Sequence, residues 1–173
     1  MVNRKSLERV LTLLLGVLLI LSIFLTVYLI YVPKIGTRLT EFYILNSEYR
    51  AYDYPTEIYV NNSYVVIIGV RNYEYRPMKY KIWVFLSNKT YDYNYTIDVT
   101  PEDRWNGTLS YNSALTREIF LEHNETVLIP LNFTVDTPGR HRIVFLLTVN
   151  NSRKVYRSLH LWIDVSEPPE DLI

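Results

Sequence analysis

From Val10 to Val32 the sequence runs for 23 residues, VLTLLLGVLLILSIFLTVYLIYV, without a charged side chain. At about 1.5 Å of rise per residue, a helix of this length crosses the ~30 Å hydrocarbon core of a bilayer with room to tilt. A secretory signal is the main competitor, but its apolar stretch is roughly 7–15 residues and ends in a small-x-small cleavage site. Here the run is longer and closes on VYLIYVPKI, which offers no such pair. The pattern predicts an uncleaved signal anchor. Arg4, Lys5 and Arg9 crowd its N-terminal flank against Glu8 alone, while Lys34 and Arg38 are sparser beyond it. The positive-inside bias therefore places residues 1–9 in the cytoplasm, 10–32 across the membrane, 33–39 as a short tether, 40–166 outside as the folded body and 167–173 as an acidic flexible tail. Tyr28 and Tyr31 suit the outer aromatic belt. Thr12, Gly16, Ser22 and Thr26 fall within a sector of about 120° at helical spacing, a candidate helix-packing stripe that chance also produces.

A second feature votes on the same question. Asn-x-Ser/Thr, with no Pro between, occurs at Asn61, Asn88, Asn94, Asn106, Asn124, Asn132 and Asn150. With 13 Asn and 24 Ser and Thr in 173 residues, about two such matches arise by chance. Seven candidates point to an exported domain carrying N-linked glycans, against the alternative of an Asn-rich composition in turns.

Beyond the anchor, period-two patterning replaces any helical period, and alternation puts successive strand side chains on opposite faces. In YDYNYTIDVT, Tyr91, Tyr93, Tyr95, Ile97 and Val99 share one face; in TVLIPLNFTV, Val127, Ile129, Leu131, Phe133 and Val135 do. Pro130 cannot donate to a ladder and implies an edge there. YVVIIGV (Tyr64 to Val70) and IVFLLTV (Ile143 to Val149) are apolar on both faces and read as central strands. DTPG (Asp136 to Gly139) reads as a turn, and the runs either side of NNSRK as a hairpin. Strands are expected near 40–46, 56–60, 63–72, 79–87, 90–99, 114–121, 126–135, 141–149 and 155–165, seven or eight of them real. The fold class expected is an all-β, immunoglobulin- or fibronectin-like antiparallel β-sandwich behind a single N-terminal transmembrane helix.

TEFYIL (Thr40 to Leu45), AYDYPTEIYVNNSYVVIIGVRNYEYRPMKYKI (Ala51 to Ile82) and YRSLHLWIDV (Tyr156 to Val165) together resemble a family of membrane proteins, mostly archaeal, catalogued as domain of unknown function sixteen-sixteen. The resemblance implies an archaeal exported sandwich domain and carries no activity or catalytic residue with it. Relatives of that kind often have several spans ahead of the domain, whereas this sequence shows one.

Chemistry is sparse. Without Cys there is no thiol nucleophile, thiolate metal site or disulfide, and five Gly show no phosphate-loop spacing. Charge is balanced at 18 basic and 18 acidic residues, which argues against a nucleic-acid partner. His123, His141 and His160 form no short-spaced pair. Ser158, His160 and Asp164 would share one strand, but positions two apart stand roughly 7 Å from each other, too far for a relay. Tyr156, His160 and Trp162 on one strand face, and Trp105 in the polar 100–113 stretch, are candidate partner contacts because aromatics concentrate at interfaces. A covering loop would explain the same face.

The expectation is a non-enzymatic, single-pass protein of the cell membrane with its C-terminal domain extracellular. It would need no cofactor and would have the lipid bilayer, N-linked glycans and a membrane or envelope protein as partners, as an accessory subunit of an archaeal assembly. A pilin-like filament or archaellum-stator component is the alternative by fold analogy, although NRKSLERVL lacks a Gly or Ala directly after its basic residues for prepilin processing. An envelope enzyme ranks third.

Overall fold

Alternating apolar and polar residues need two sheets to hide one face each, and the chain builds both. The computed structural model describes residues 4–32 and 36–169. They belong to two compact units, Met1–Thr37 and Arg38–Ile173. Residues 1–3, 33–35 of the expected tether and 170–173 of the expected tail lie outside the described residues.

The first unit holds one helix, α1, Arg4–Tyr31. Its Leu7–Tyr31 portion is long and apolar enough to cross a membrane, as signal sequences also are, and none of it is buried against protein. The hydroxyls of Thr12, Ser22 and Thr26 find their partners within the helix, as a helix placed in lipid would require. The Thr12 hydroxyl donates to the Glu8 carbonyl, Ser22 to Leu19 and Thr26 to Ser22, each at 2.8 Å. Those hydroxyls are spent within the helix, so the small-residue stripe offers shape rather than free donors.

The second unit contains β1 Leu39–Leu45, β2 Glu57–Tyr59, β3 Tyr64–Tyr73, β4 Met78–Leu86, β5 Thr100–Glu102, β6 Gly107–Thr108, β7 Ser113–Leu121, β8 Thr126–Thr134, β9 Gly139–Val149 and β10 Arg157–Ser166. They form a four-stranded sheet in the order β1-β3-β8-β6 and a six-stranded sheet in the order β2-β10-β9-β4-β7-β5. The seven long strands pair antiparallel. Three short ones, β2, β5 and β6, add parallel pairings at the edges. This is the immunoglobulin-like sandwich expected, with mixed rather than purely antiparallel sheets. Val66, Ile68, Val70, Tyr80, Ile82, Leu131, Phe133, Phe145 and Leu147 fill the space between the sheets and are essentially inaccessible.

The hairpin around NNSRK forms as β9 and β10, paired from Arg157↔Leu147 to Val165↔Gly139. Gly139, at φ +119°, closes the DTPG turn in backbone space that L residues avoid. Pro130 takes the expected edge. Its carbonyl accepts the Trp105 indole N–H at 2.7 Å, and two residues on the Asn132 amide donates to the Asn106 side chain at 3.0 Å. Alternate residues of a strand point their backbone groups the same way, so the missing N–H of Pro130 faces outward, away from β3.

The expected strand at 90–99 does not form. Tyr91 and Ile97 are buried, but Tyr93 and Tyr95 are exposed, Asn94 takes φ +68°, and a single bridge joins Thr96 to Lys154. β4 already has β9 and β7 on its two sides. The segment has no free edge there and lies across the outer face instead. With Val155 it covers Trp83, Phe85, Ala114, Val144 and Leu146 as a second, smaller core. That cover is why Ile143 to Val149 is apolar on both faces.

Candidate functional site

The outer face of β10 carries the aromatic stripe. Trp162, a residue that folding normally hides, remains 42% exposed. Its cross-strand partner is Arg142, and Arg140 stands two pairs along, opposite Asp164. The guanidinium carbons of Arg140 and Arg142 lie 5.1 and 5.7 Å from the indole centroid, within reach of the ring's negative face. Arg140 is 4.0 Å from Asp164, an exposed pair that contributes little stability. Exposed His160 is two residues from Trp162. Beside it a groove of about 330 Å³ runs between the covering segment and β10, lined among others by Lys89, Tyr91, Asp92, Arg142, Ser158 and His160.

Two candidate contacts part from this face. Alternation would put Tyr156 with Ser158, His160 and Trp162, but the Tyr156 amide bonds the Leu147 carbonyl, and Leu147 also opposes Arg157. Two residues against one is a bulge, which resets the phase. Tyr156 therefore packs on the main core instead. Trp105 is half-buried near the other edge of the six-stranded sheet. It packs on the main core, holds Pro130 and lies 5.9 Å beneath Arg117. The structure thus keeps His160 and Trp162 together and separates Tyr156 and Trp105 from them.

The bulge delivers Tyr156 to a site that alternation conceals. Buried Glu74, in the β3–β4 turn, accepts hydrogen bonds from the Tyr156 hydroxyl and from the Thr40 hydroxyl at 3.0 Å. Thr40 has spent its proton, so the Tyr80 hydroxyl donates to Thr40 at 2.8 Å. Burial, with the neighbouring Glu74 charge adding to it, pushes Tyr80 up to about 12. Burial, then the bond to Glu74, raises Tyr156. Beside them Asn72, fully buried, accepts from the Glu74 amide and donates to the carbonyls of Arg76 and Leu121. One side chain so ties the β3–β4 turn to the end of β7. Thr40, Asn72, Glu74, Tyr80 and Tyr156 come from all three sequence segments that carry the family resemblance. The signal for this cluster was available: counting by twos from Val66 through Ile68 and Val70 puts polar Asn72 and Glu74 on the core face.

The histidines serve local structure or stand free. His141 is buried, its Nδ1 accepting from Tyr111 at 2.8 Å and its Nε2 donating to the Thr137 carbonyl at 2.9 Å. His123 stacks on Tyr75 at 4.7 Å. Among the described residues no three His, Asp or Glu gather closely enough to hold a metal ion.

All seven sequon asparagines are exposed. Asn61, Asn94, Asn124 and Asn150 take positive φ, which asparagine tolerates better than most residues. Turn chemistry accounts for those four asparagines without accounting for the Ser or Thr two places on.

A span-length apolar helix followed by an immunoglobulin-like sandwich defines the class: a β-sandwich protein with a possible N-terminal membrane anchor. Within that class the chain belongs to the family described as Domain of unknown function (DUF1616), which matches residues 33–164. No curated protein matches the sequence. Among solved structures, the CARDB domain of the PF1109 protein from Pyrococcus furiosus, in complex with di-metal ions, is similar at 12% identity and TM-score 0.46, over 77% of this chain and 97% of that one. A β-glucosidase from Listeria innocua is similar at 16% identity and TM-score 0.44, and one from Erythrobacter marinus at 11% and 0.44. In both, 75% of this chain is covered but only 16% of the glucosidase. These likenesses concern the sandwich alone.

Proposed function

We propose that this protein is a non-enzymatic, single-pass membrane protein that displays its sandwich outside the cell as an interaction module of an archaeal membrane or envelope assembly. In this reading α1 is retained as an anchor, its Arg- and Lys-bearing flank stays in the cytoplasm, and the exported body carries N-linked glycans. The observation that carries the interaction role is Trp162, exposed on a polar strand face and flanked by Arg140 and Arg142. Trp and Arg dominate the residues that hold interfaces together, and leaving an indole in water has no folding benefit. Three nearby cationic or protonatable groups, Arg140, Arg142 and His160, suit an acidic surface on the partner.

A photo-crosslinking side chain placed at position 160 of the full-length protein in native membranes tests this. The expected result is one discrete adduct that Trp162→Ala diminishes at least tenfold and Trp105→Ala leaves unchanged. Adducts with lipid alone, or protein adducts indifferent to Trp162→Ala, would contradict the reading.

A further inference from the structure

Five of the seven sequon asparagines, at 61, 88, 94, 124 and 150, lie in turns and loops outside the strands; the other two lie beside each other. β6 runs parallel to β8 in register, Gly107 beside Phe133 and Thr108 beside Thr134. One residue back, Asn106 therefore stands next to Asn132. Two contacts fix this: the Asn132 amide donates to the Asn106 side-chain oxygen at 3.0 Å, and the hydroxyls of Thr108 and Thr134 meet at 3.0 Å. The complete acceptor triplets 106–108 and 132–134 thus lie side by side, asparagine against asparagine and threonine against threonine.

Neighbouring strands are about 4.8 Å apart, and residues directly opposite one another point to the same face. A pyranose ring is about as wide as that spacing. Two sugars rooted at adjacent asparagines would claim the same space from their first residue, before any branching.

We propose that Asn106 and Asn132 form a single glycan position, filled at one asparagine per molecule and by preference at Asn106. The preference follows from the ladder. A transferase needs the asparagine amide and the hydroxyl two residues on to be free together, yet here both hydroxyls are engaged with each other. β6 is an edge strand two residues long and paired at two positions, so freeing 106–108 between its anchors Trp105 and Leu109 breaks only that short edge. The 132–134 triplet belongs to β8, which pairs with β3 from Tyr64↔Phe133 to Arg71↔Thr126, and it cannot leave without unzipping that pair. A sugar on the Asn106 nitrogen leaves its side-chain oxygen in place for the Asn132 amide, so occupancy at Asn106 keeps the native contact.

The inference rests on the reading that the body is exported and glycosylated. The test is the intact mass of the full chain purified from an N-glycosylating archaeal host, for the wild type, Thr108→Val, Thr134→Val and the double variant. These changes abolish each sequon while leaving both asparagines in place. The expected result is that Thr134→Val carries as many glycans as the wild type and the double variant carries one fewer. A double variant lacking two glycans would overturn the shared position, as would one lacking none while other sequons are occupied. A wild-type mass equal to the bare polypeptide would instead overturn the glycosylation reading, and this inference with it.

Discussion

Tyr80 is inaccessible to solvent and holds its proton to about 12, against an ordinary value of 10.0. A pKa raised in the fold means that the protonated hydroxyl is favoured there. Its stabilisation is complete below pH 10 and is lost as pH climbs from about 10 to about 12, by about 2–3 kcal/mol. Tyr156, raised in the same direction, adds to the same window. Denaturant midpoints measured at pH 9 and pH 11.5 should therefore fall steeply for the wild type and less for Tyr80→Phe; equal slopes would contradict the role given to Tyr80. Asn72 allows a second test. Alanine there strands the Glu74 amide and the carbonyls of Arg76 and Leu121, and should cost about 2–4 kcal/mol in urea unfolding. At this scale the sequence was only partly legible. The parity of β3 marks Asn72 and Glu74 as core-facing, but nothing in the spacing of Thr40, Tyr80 and Tyr156 says that they converge, because the bulge that turns Tyr156 inward is a property of its pairing with β9.

Among the elements, the long strands could be read because one face of each is apolar and the other wet. The segment 90–99 shows where that logic ends: it has the cleanest alternation in the chain yet forms no strand. Alternation reports which residues seek burial, and a face with no vacant edge can bury them under a lid as well as in a ladder. Tyr91 and Ile97 bear the burial, while Tyr93 stays exposed. Ile97→Ala should thus cost about 2–4 kcal/mol, and Tyr93→Ala should stay within about 0.5 kcal/mol of the wild type, both by thermal or chemical unfolding. Comparable losses at the two positions would mean that the segment behaves as the strand its pattern suggests. Pro130 is the opposite case, where one residue's missing donor was enough to locate an edge. The two-residue β6 and three-residue β5 are too short to leave any period and were invisible before the fold, whereas the equally short β2 falls within the strand expected at 56–60.

At the scale of the whole molecule, the sandwich supplies a rigid body and α1 a rod with none of its apolar surface buried against protein. Burying such a rod in lipid is the one placement that removes its apolar surface from water without a partner. The proposed outward placement of the body, its access to sugar transfer and the role proposed for the Trp162 face rest on that burial together with the basic flank at Arg4, Lys5 and Arg9. The span-length helix was legible because lipid thickness imposes a length that few other constraints do; the Trp162 face was legible only in part, because the bulge that removes Tyr156 from it belongs to the fold. The chain has no cysteine, so a single introduced thiol reports topology without background. Intact cells expressing Ser6→Cys or Ser47→Cys would be treated with a membrane-impermeant maleimide before and after lysis. Ser47, exposed in the loop after β1, should be labelled in intact cells, and Ser6, on the basic flank, only once the cells are broken. Labelling of Ser6→Cys with protection of Ser47→Cys in sealed cells would contradict the account.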